Sequence, residues 1–270
     1  MLRRMPLLIV PILFACSDSG RIDKAAPLSG APIALQQVAL QPLAALEVLE
    51  VAPPDFAKLK AEDSSRMRGT APSRFAVARG VNVTPESIGT WERIGAGQSL
   101  WRLRVKSTGA LSLNFGFGSC RLPASARISF YSADKKHVVS RPFRAADCRA
   151  TEGELWSPIV LSDDAIIELL VDEAERKDVV LQLTAVNPGY RFFGEKPSEK
   201  QGACNIDVVC SEGDDWRGEI ASVGAYTISG VDTCTGTMMN NTAGDETPFF
   251  LTAYHCGVTE SNDQAVVVYW

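Results

Sequence analysis

The chain has 270 residues, of which 46% are hydrophobic and 22% charged, and its formal net charge at pH 7 is −5. These proportions are typical of a folded protein rather than a disordered one, and the length allows one large domain or two. The acidic balance gives no support to a nucleic acid or an anionic membrane as partner. No apolar run in the sequence reaches the length that spans a bilayer.

The first sixteen residues have the features of an export signal. Arg3 and Arg4 form a basic start, and a short apolar stretch runs from Met5 to Phe14. The stretch leads to Cys16 in a pattern that resembles the lipobox of bacterial lipoproteins, which implies lipidation of Cys16. A plain secretory signal is the alternative, because Phe14 is bulky for that motif. In both cases we expect export from a bacterial cytoplasm, with the protein secreted or lipid-anchored at the cell envelope, where disulfides persist.

Residues 17–74 are interpreted as a tail and linker. Ala, Pro, Leu and Gln dominate the first part, and residues 40–49 have the composition of a short helix. Residues 58–68 are charged and show little apolar periodicity. We therefore expect no packed domain in this part of the chain.

Residues 75–193 predict an all-β fold, an antiparallel β-sandwich. Apolar and polar residues alternate with period two in several short segments, and turn-forming residues separate these segments. The predicted strands lie at residues 101–105, 111–117, 127–131, 156–161, 165–171 and 179–186. A length of about 120 residues is sufficient for one hydrophobic core.

Two ionisable residues of the predicted sandwich need an interpretation. His137 follows three charged residues, and we interpret it as a solvated loop histidine. Glu168 lies in a predicted strand beside Ile166 and Ile167, and we interpret it as an outward-facing charge rather than an acid catalyst. The sandwich is therefore expected to carry no catalytic site.

His255 is the candidate functional residue. The apolar run from Phe249 to Leu251 ends in small residues, and His255 and Cys256 follow. An imidazole changes its charge near neutral pH, so a histidine held on a rigid element can act as a general base. The alternative is a core histidine beside a structural cysteine, since short motifs often match by chance.

The motifs around His255 resemble those of the chymotrypsin-like serine endopeptidases. The segment Thr252 to Cys256 matches their histidine motif, and the strand from Cys234 to Thr237 matches the strand upstream of it. Further matches, at residues 203–210, 214–217 and 267–270, resemble the start of the catalytic domain of bacterial lysyl endopeptidases. The resemblance covers about residues 201–270, with its motifs in family order.

The resemblance implies that residues 203–270 are the first part of a trypsin-like protease domain, an incomplete chymotrypsin-like β-barrel. His255 would take the proton of an attacking serine, an aspartate would orient its ring, and backbone N–H groups would hold the oxyanion. Family order places the aspartate, the serine and the lysine-selecting pocket later in the chain. We therefore expect a truncated precursor that is inactive as it stands, with protein or peptide substrates in the full-length form and no cofactor.

The resemblance also extends to the predicted sandwich. The pattern Trp156 to Pro158, with residues 164–169 and 189–191, looks like the amino-terminal domain found ahead of such proteases. That implies a propeptide that packs against the protease domain, assists its folding and blocks it until it is cleaved. Residues 194–202 form a polar run without apolar residues, which predicts an exposed, cleavable linker. A lysine-specific enzyme implies a lysine at its own boundary, and Lys200 is the predicted processing site.

The chain has seven cysteines, an odd number for an exported protein. Lipidation of Cys16 would leave six. Cys120 and Cys148 lie in one predicted segment and are expected to pair. Cys234 and Cys256 lie on two strands that a hairpin would bring together, so they are expected to form a second disulfide.

Cys204 and Cys210 are the remaining pair. They could bond to each other, but in the lysyl endopeptidase pattern each reaches a cysteine further along the domain. We therefore expect both to be unpaired in this chain.

Two other functions were weighed against the protease. One is a surface lipoprotein whose sandwich binds a protein or glycan, with the carboxy-terminal stretch as a non-catalytic remnant. The other is a zinc site made by Cys204, Cys210, Cys234, His255 and Cys256. Their spacing lacks the paired Cys-x-x-Cys geometry of structural zinc, and an oxidising compartment favours disulfides, so no metal is expected.

Overall fold

The computed structural model describes residues 9–10, 31–36, 39–65, 71–148, 153–191 and 210–270. These residues fold mainly into β-strands, which form three sheets with mostly antiparallel pairing. The all-β class predicted from the sequence is therefore confirmed. Within the described residues, no helix has both the length and the apolar character needed to cross a membrane.

The strands are numbered in chain order. Their bounds are β1 Ile9–Val10, β2 Val48–Glu50, β3 Ser73–Arg74, β4 Arg79–Val83, β5 Thr90–Ile94, β6 Gln98–Lys106, β7 Ser112–Arg121, β8 Arg127–Ser132, β9 Leu155–Trp156, β10 Asp164–Asp172, β11 Val180–Gly189, β12 Val223–Ile228, β13 Asp232–Met239, β14 Phe249–Thr252 and β15 Val266–Tyr269. The α-helices of the described residues are α1 Phe56–Ser65 and α2 Arg217–Ile220.

Two sheets face each other and form what we call the sandwich. One has the strand order β2-β6-β10-β8, with β5 also paired to β6, and the other has the order β4-β11-β7-β9. All these pairs are antiparallel except β2 with β6. The inward-facing residues of both sheets form one continuous core. Each predicted strand coincides with an observed strand or, at residues 156–161, with the short β9 and an isolated bridge at Val160.

Phe130 on β8 lies at the centre of the sandwich core. Its ring centroid is 5.7 Å from that of Phe115, 6.1 Å from that of Phe117 and 5.4 Å from that of Phe143. The ring is fully buried. Aromatic rings bury large apolar areas and add about 0.5–1.5 kcal/mol per pair in stacked or edge-on contacts, so this cluster is a main source of stability.

Residues 31–36 and 39–51 differ from the expected tail, because they pack on the outer face of the sandwich. Ile33 and Leu46 are buried there, and β2 adds a parallel strand to the edge of β6. The helix expected over residues 40–49 does not form, and a 3-10 turn at Leu43–Ala45 leads into β2 instead. An extended segment that pairs with the edge of a sheet can also bury an apolar face of that sheet. Such a segment has no helical periodicity, so the sequence pattern does not predict its packing.

Glu168 on β10 corrects a second expectation. Alternation does point its side chain to the outer face, opposite Arg102 on β6, but only 2% of the residue is exposed. Its carboxylate accepts hydrogen bonds from the Ile33 backbone N–H at 2.6 Å and from the Tyr131 hydroxyl at 2.9 Å. Burial raises the pKa of Glu168, and these hydrogen bonds oppose the shift in part. The carboxylate of Glu168 therefore binds the covering segment, residues 31–36, and does not face water.

The raised pKa of Glu168 predicts a pH-dependent stability. Because the folded pKa lies above the unfolded one, the contribution of Glu168 is complete below the unfolded pKa of about 4.3 and is lost as the pH rises through the folded pKa. We expect the free energy of unfolding of Glu168→Gln to fall less than that of the wild type as the pH rises from the unfolded to the folded pKa of Glu168. Urea unfolding of both proteins between acid and neutral pH measures it, and equal slopes would contradict the prediction.

His137 was expected to be a solvated loop residue, and the structure corrects this. It lies in the turn after β8, where its backbone N–H donates to the Ser132 hydroxyl at 3.0 Å. Its side chain is half-buried rather than free in solvent, and burial lowers its pKa. The turn folds back on β8 through a bridge between Tyr131 and Val138, which draws the ring toward the sheet.

The third sheet, which we call the C-terminal sheet, has the order β1-β15-β12-β13-β14, and β3 also pairs with β13. It is an open sheet and forms no closed barrel within the described ranges. Its strand β15 is fully buried. Val267 and Tyr269 of this strand pack against Phe75 and Ile159, so segments that precede residue 191 cover this apolar face.

Candidate functional site

His255 is positioned by the hairpin of β13 and β14. The two strands pair antiparallel, with Gly236 opposite Thr252 and Met239 opposite Phe249. Gly236 suits this pairing, because a Cβ there would collide with the ring of Phe250 on the facing strand. The histidine therefore follows directly on a strand whose register is fixed.

The segment after β14 is a single 3-10 turn, Tyr254–Cys256. It ends at Gly257, whose φ of 73° is left-handed, a conformation that glycine adopts without the steric cost of a Cβ. The turn exposes Tyr254 and His255 and buries Cys256. An exposed imidazole and a buried cysteine thus lie on opposite sides of one short turn.

A disulfide joins Cys256 to Cys234 on β13, with the two Cα atoms 6.0 Å apart. The distance lies within the usual range for a disulfide. The bond closes a loop between residues separated by 22 positions, for which the chain-entropy model gives about 3 kcal/mol. It fixes the backbone next to His255.

Aromatic packing supports the same hairpin from below. The Phe250 ring makes edge-on contacts with Tyr226, at 5.7 Å, and with Trp270, at 6.1 Å. The Tyr226 hydroxyl lies 2.7 Å from the hydroxyl of Thr252, and Thr252 donates to the Thr235 carbonyl at 2.9 Å. The end of β14 is therefore held by side chains as well as by its strand pairing.

The His255 imidazole is exposed and makes no hydrogen bond or ion pair with any described residue. The neighbouring polar groups are engaged elsewhere. Asp245 accepts from Asn241 and from the Thr247 backbone, and these bonds lower its pKa to about 2. The Ser261 hydroxyl lies 2.8 Å from that of Thr259. Neither group orients or deprotonates His255 in this arrangement.

A shallow cleft of about 390 Å³ adjoins the histidine turn. Its walls include Val223, Gly236, Leu251 and Ala253, and the side chains of Val223 and Leu251 are more than half exposed. Exposed apolar side chains in a concavity are typical of sites that bind another chain or a ligand. Sequence reasoning missed this cleft, because alternating apolar residues on strands are equally typical of a core.

Three potential metal ligands, Cys234, His255 and Cys256, lie together at the histidine turn. The donor atoms of Cys234, His255 and Cys256 all lie within 4.8 Å of one another. Both sulfurs are already joined in the disulfide, however, and zinc binds cysteine as the thiolate. In this state only the imidazole remains as a strong donor, so the group does not fit a metal centre.

The other predicted cysteines fall in different places. Cys120 and Cys148 form a disulfide within the sandwich, with Cα atoms 5.3 Å apart. Cys210 is exposed and has a free thiol. Cys16, Cys204 and the predicted processing residue Lys200 lie outside the described residues, as does the predicted linker 194–202.

Comparison with known families gives two matches. The model described as the lysyl endopeptidase N-terminal domain matches residues 46–186, which is more than half of the chain. The model described as lysyl endopeptidase, C-terminal domain, matches residues 198–270 and includes the histidine turn. No solved structure matches the chain.

Proposed function

Because the chain belongs to the lysyl endopeptidase family, we propose that it is part of an exported serine endopeptidase that cleaves after lysine, with His255 as the general base. One observation carries the assignment. His255 is an exposed imidazole on a turn whose backbone is fixed by a disulfide, next to an open cleft. A general base needs this combination of access to substrate and a rigid support.

In the proposed mechanism, His255 removes the proton of a serine hydroxyl as the oxygen attacks the scissile carbonyl, and later returns it to the leaving amine. The described residues place neither a serine hydroxyl nor a carboxylate within hydrogen-bonding distance of the imidazole. The proposal therefore assigns the base alone and leaves the nucleophile and the orienting acid open.

The test is an assay of the gene product that carries this chain. Peptide amides that differ only in a Lys, Arg or Leu before the scissile bond should be cleaved with Lys preferred, and a sulfonyl fluoride that sulfonylates reactive serines with loss of fluoride should abolish cleavage. Cleavage that resists the sulfonyl fluoride and responds to a chelator would overturn the serine mechanism. Binding of a protein or glycan without any cleavage would favour the surface lipoprotein instead.

We also propose that the N-terminal sandwich is a propeptide and that processing follows Lys200. The support is the position of Lys200 in a polar run at the start of the C-terminal family match, residues 198–270, and the preference for lysine that the family implies. Amino-terminal sequencing of the mature protein should read Gln201 first. A start inside the sandwich, for example within β10 or β11, would contradict the prediction, and Lys200→Ala should slow release of this terminus.

Export is proposed on two grounds. The first residues carry a basic start and an apolar stretch, and four of the described cysteines form two disulfides of the kind that persist outside the cytoplasm. Lipidation at Cys16 is the finer form of this proposal. Metabolic labelling with a radioactive fatty acid, compared between the wild type and Cys16→Ala, separates an anchored from a secreted protein.

A further inference from the structure

The sandwich and the C-terminal sheet meet at a small polar contact made by two asparagines of the sandwich. Asn114 on β7 and Asn187 on β11 lie opposite each other on the outer face of their sheet, and both are almost completely buried. The Asn187 side-chain N–H donates to the side-chain oxygen Oδ1 of Asn114 at 2.8 Å. The pair thus forms one rigid unit on the surface of the sandwich.

This asparagine pair binds the turn between β12 and β13. Asn114 donates from Nδ2 to the Gly230 carbonyl at 2.8 Å, and Asn187 donates from Nδ2 to the Ser229 carbonyl at 3.1 Å. Two consecutive backbone carbonyls of the turn are therefore satisfied by side chains of the other unit. Burial of such groups without a partner is unfavourable, so the two asparagines stabilise the contact.

Gly230 fits this pair because it has no side chain. Its φ is 63°, in the left-handed region, and a Cβ at this position would collide with the amide atoms of both Asn114 and Asn187. The contact is therefore selective for the shape of the turn as well as for its carbonyl groups.

Two further contacts extend the surface around the turn. The strand β3 pairs with the edge of β13, Ser73 opposite Thr233, and the Phe75 backbone N–H donates to the Val231 carbonyl at 2.9 Å. On β15, the buried Tyr269 hydroxyl accepts from the Ile159 backbone N–H at 3.1 Å. Strand pairing, these hydrogen bonds and the asparagine pair thus stabilise one interface between the sandwich and the C-terminal sheet.

We propose that the outer face of the sandwich around Asn114 and Asn187 is a docking surface for the turn Ser229–Gly230, and that it keeps the sandwich bound to the C-terminal sheet after the linker 194–202 is cut. The partner is the C-terminal part of this same chain, held without a covalent bond. Neither asparagine contacts His255, so the inference does not depend on catalysis.

The experiment places the recognition sequence of a specific protease after Lys200 in the 270-residue chain. After cutting, the two fragments should elute together in size-exclusion chromatography at micromolar concentration. Gly230→Ala should raise the dissociation constant at least about tenfold, which corresponds to 1.4 kcal/mol. Separate elution of the wild-type fragments would overturn the proposal.

Gly244→Ala is the matched control. Gly244 has a φ of 61°, close to that of Gly230, but a Cβ there meets nothing within 4 Å. Both substitutions carry the same backbone strain, so only the clash with the asparagine pair distinguishes them. Equal weakening by the two variants would show that strain alone is responsible and would overturn the docking role.

Asn114→Asp tests the surface from the other side and keeps the proposal testable if Gly230→Ala does not fold. The carboxylate keeps the acceptor for Asn187 and loses the donor to the Gly230 carbonyl. As with Gly230→Ala, the dissociation constant of the two cut fragments should be higher than in the wild type. Co-elution as tight as in the wild type would contradict the docking role.

Discussion

Replacement of His255 by alanine is expected to lower kcat/KM for a lysyl peptide at least about 10⁴-fold in the gene product that carries this chain, because a protease without its general base retains only binding and oxyanion stabilisation. The substitution removes an exposed ring that contacts no described polar group, so the fold should be unaffected. The loss should appear in kcat, with KM little changed. Steady-state kinetics on a chromogenic lysyl substrate measure both.

His137→Ala is the matched control, since the chain has two histidines. His137 is half-buried in the sandwich, in the turn after β8, and belongs to no proposed catalytic step. Its replacement should leave kcat/KM unchanged while altering stability slightly. A similar loss of activity in both variants would remove the reason for assigning the base to His255.

Phe130→Ala is expected to lower the free energy of unfolding by about 3–5 kcal/mol, the usual cost of truncating a buried aromatic ring. The ring is fully buried and contacts three other phenylalanine rings, two on the facing strand β7 and one beside β8, so its removal leaves an apolar cavity. The expected loss is a large share of the total stability of a typical domain, about 5–15 kcal/mol. Urea unfolding followed by fluorescence and circular dichroism measures it.

Leu161→Ala provides the comparison for Phe130→Ala, because Leu161 is 44% exposed and lies outside the core. Its replacement should change the unfolding free energy by less than about 0.5 kcal/mol. Phe130→Leu retains most of the buried volume and should lower the free energy of unfolding by less than Phe130→Ala does. It provides the measurement if the alanine variant does not fold. A Phe130→Ala protein as stable as the wild type would contradict the assignment of the core.

The sandwich could be predicted in large part because its strands alternate clearly. The period-two pattern of β6, β7, β8 and β10 places inward-facing residues on one face, and each strand can be read without knowledge of its neighbours. The strands β4 and β5 were missed. β4 carries a glycine and an asparagine, and β5 carries two charged residues, which weakens the alternation.

Contacts between distant segments could not be predicted. The covering segment at Ile33 lies 135 positions from Glu168, and the burial of that carboxylate depends wholly on it. The contact of Asn114 with Gly230 joins residues 116 positions apart. Local patterns report only the face to which a side chain points, so they gave the direction of Glu168 correctly and its solvation wrongly.

At the histidine turn, too, the local features could be predicted from the sequence and the contacts between separate strands could not. The local motif gave the position of His255 after a strand and its neighbouring cysteine, and these follow from a few adjacent residues. The cleft beside it requires Val223 on β12 and Leu251 on β14 to lie near each other across β13. That arrangement depends on the strand order of the sheet, which the sequence pattern does not specify.

The most direct test of the central claim is covalent labelling of the base. A peptidyl lysyl chloromethyl ketone binds as a substrate and alkylates a nearby imidazole: the nitrogen attacks the chloromethyl carbon, chloride leaves, and the N–H proton is released to solvent. Incubation with the gene product that carries this chain should abolish activity and add one label, which mass spectrometry should place on His255 and not on His137. Loss of activity with the label on any other residue would contradict the account.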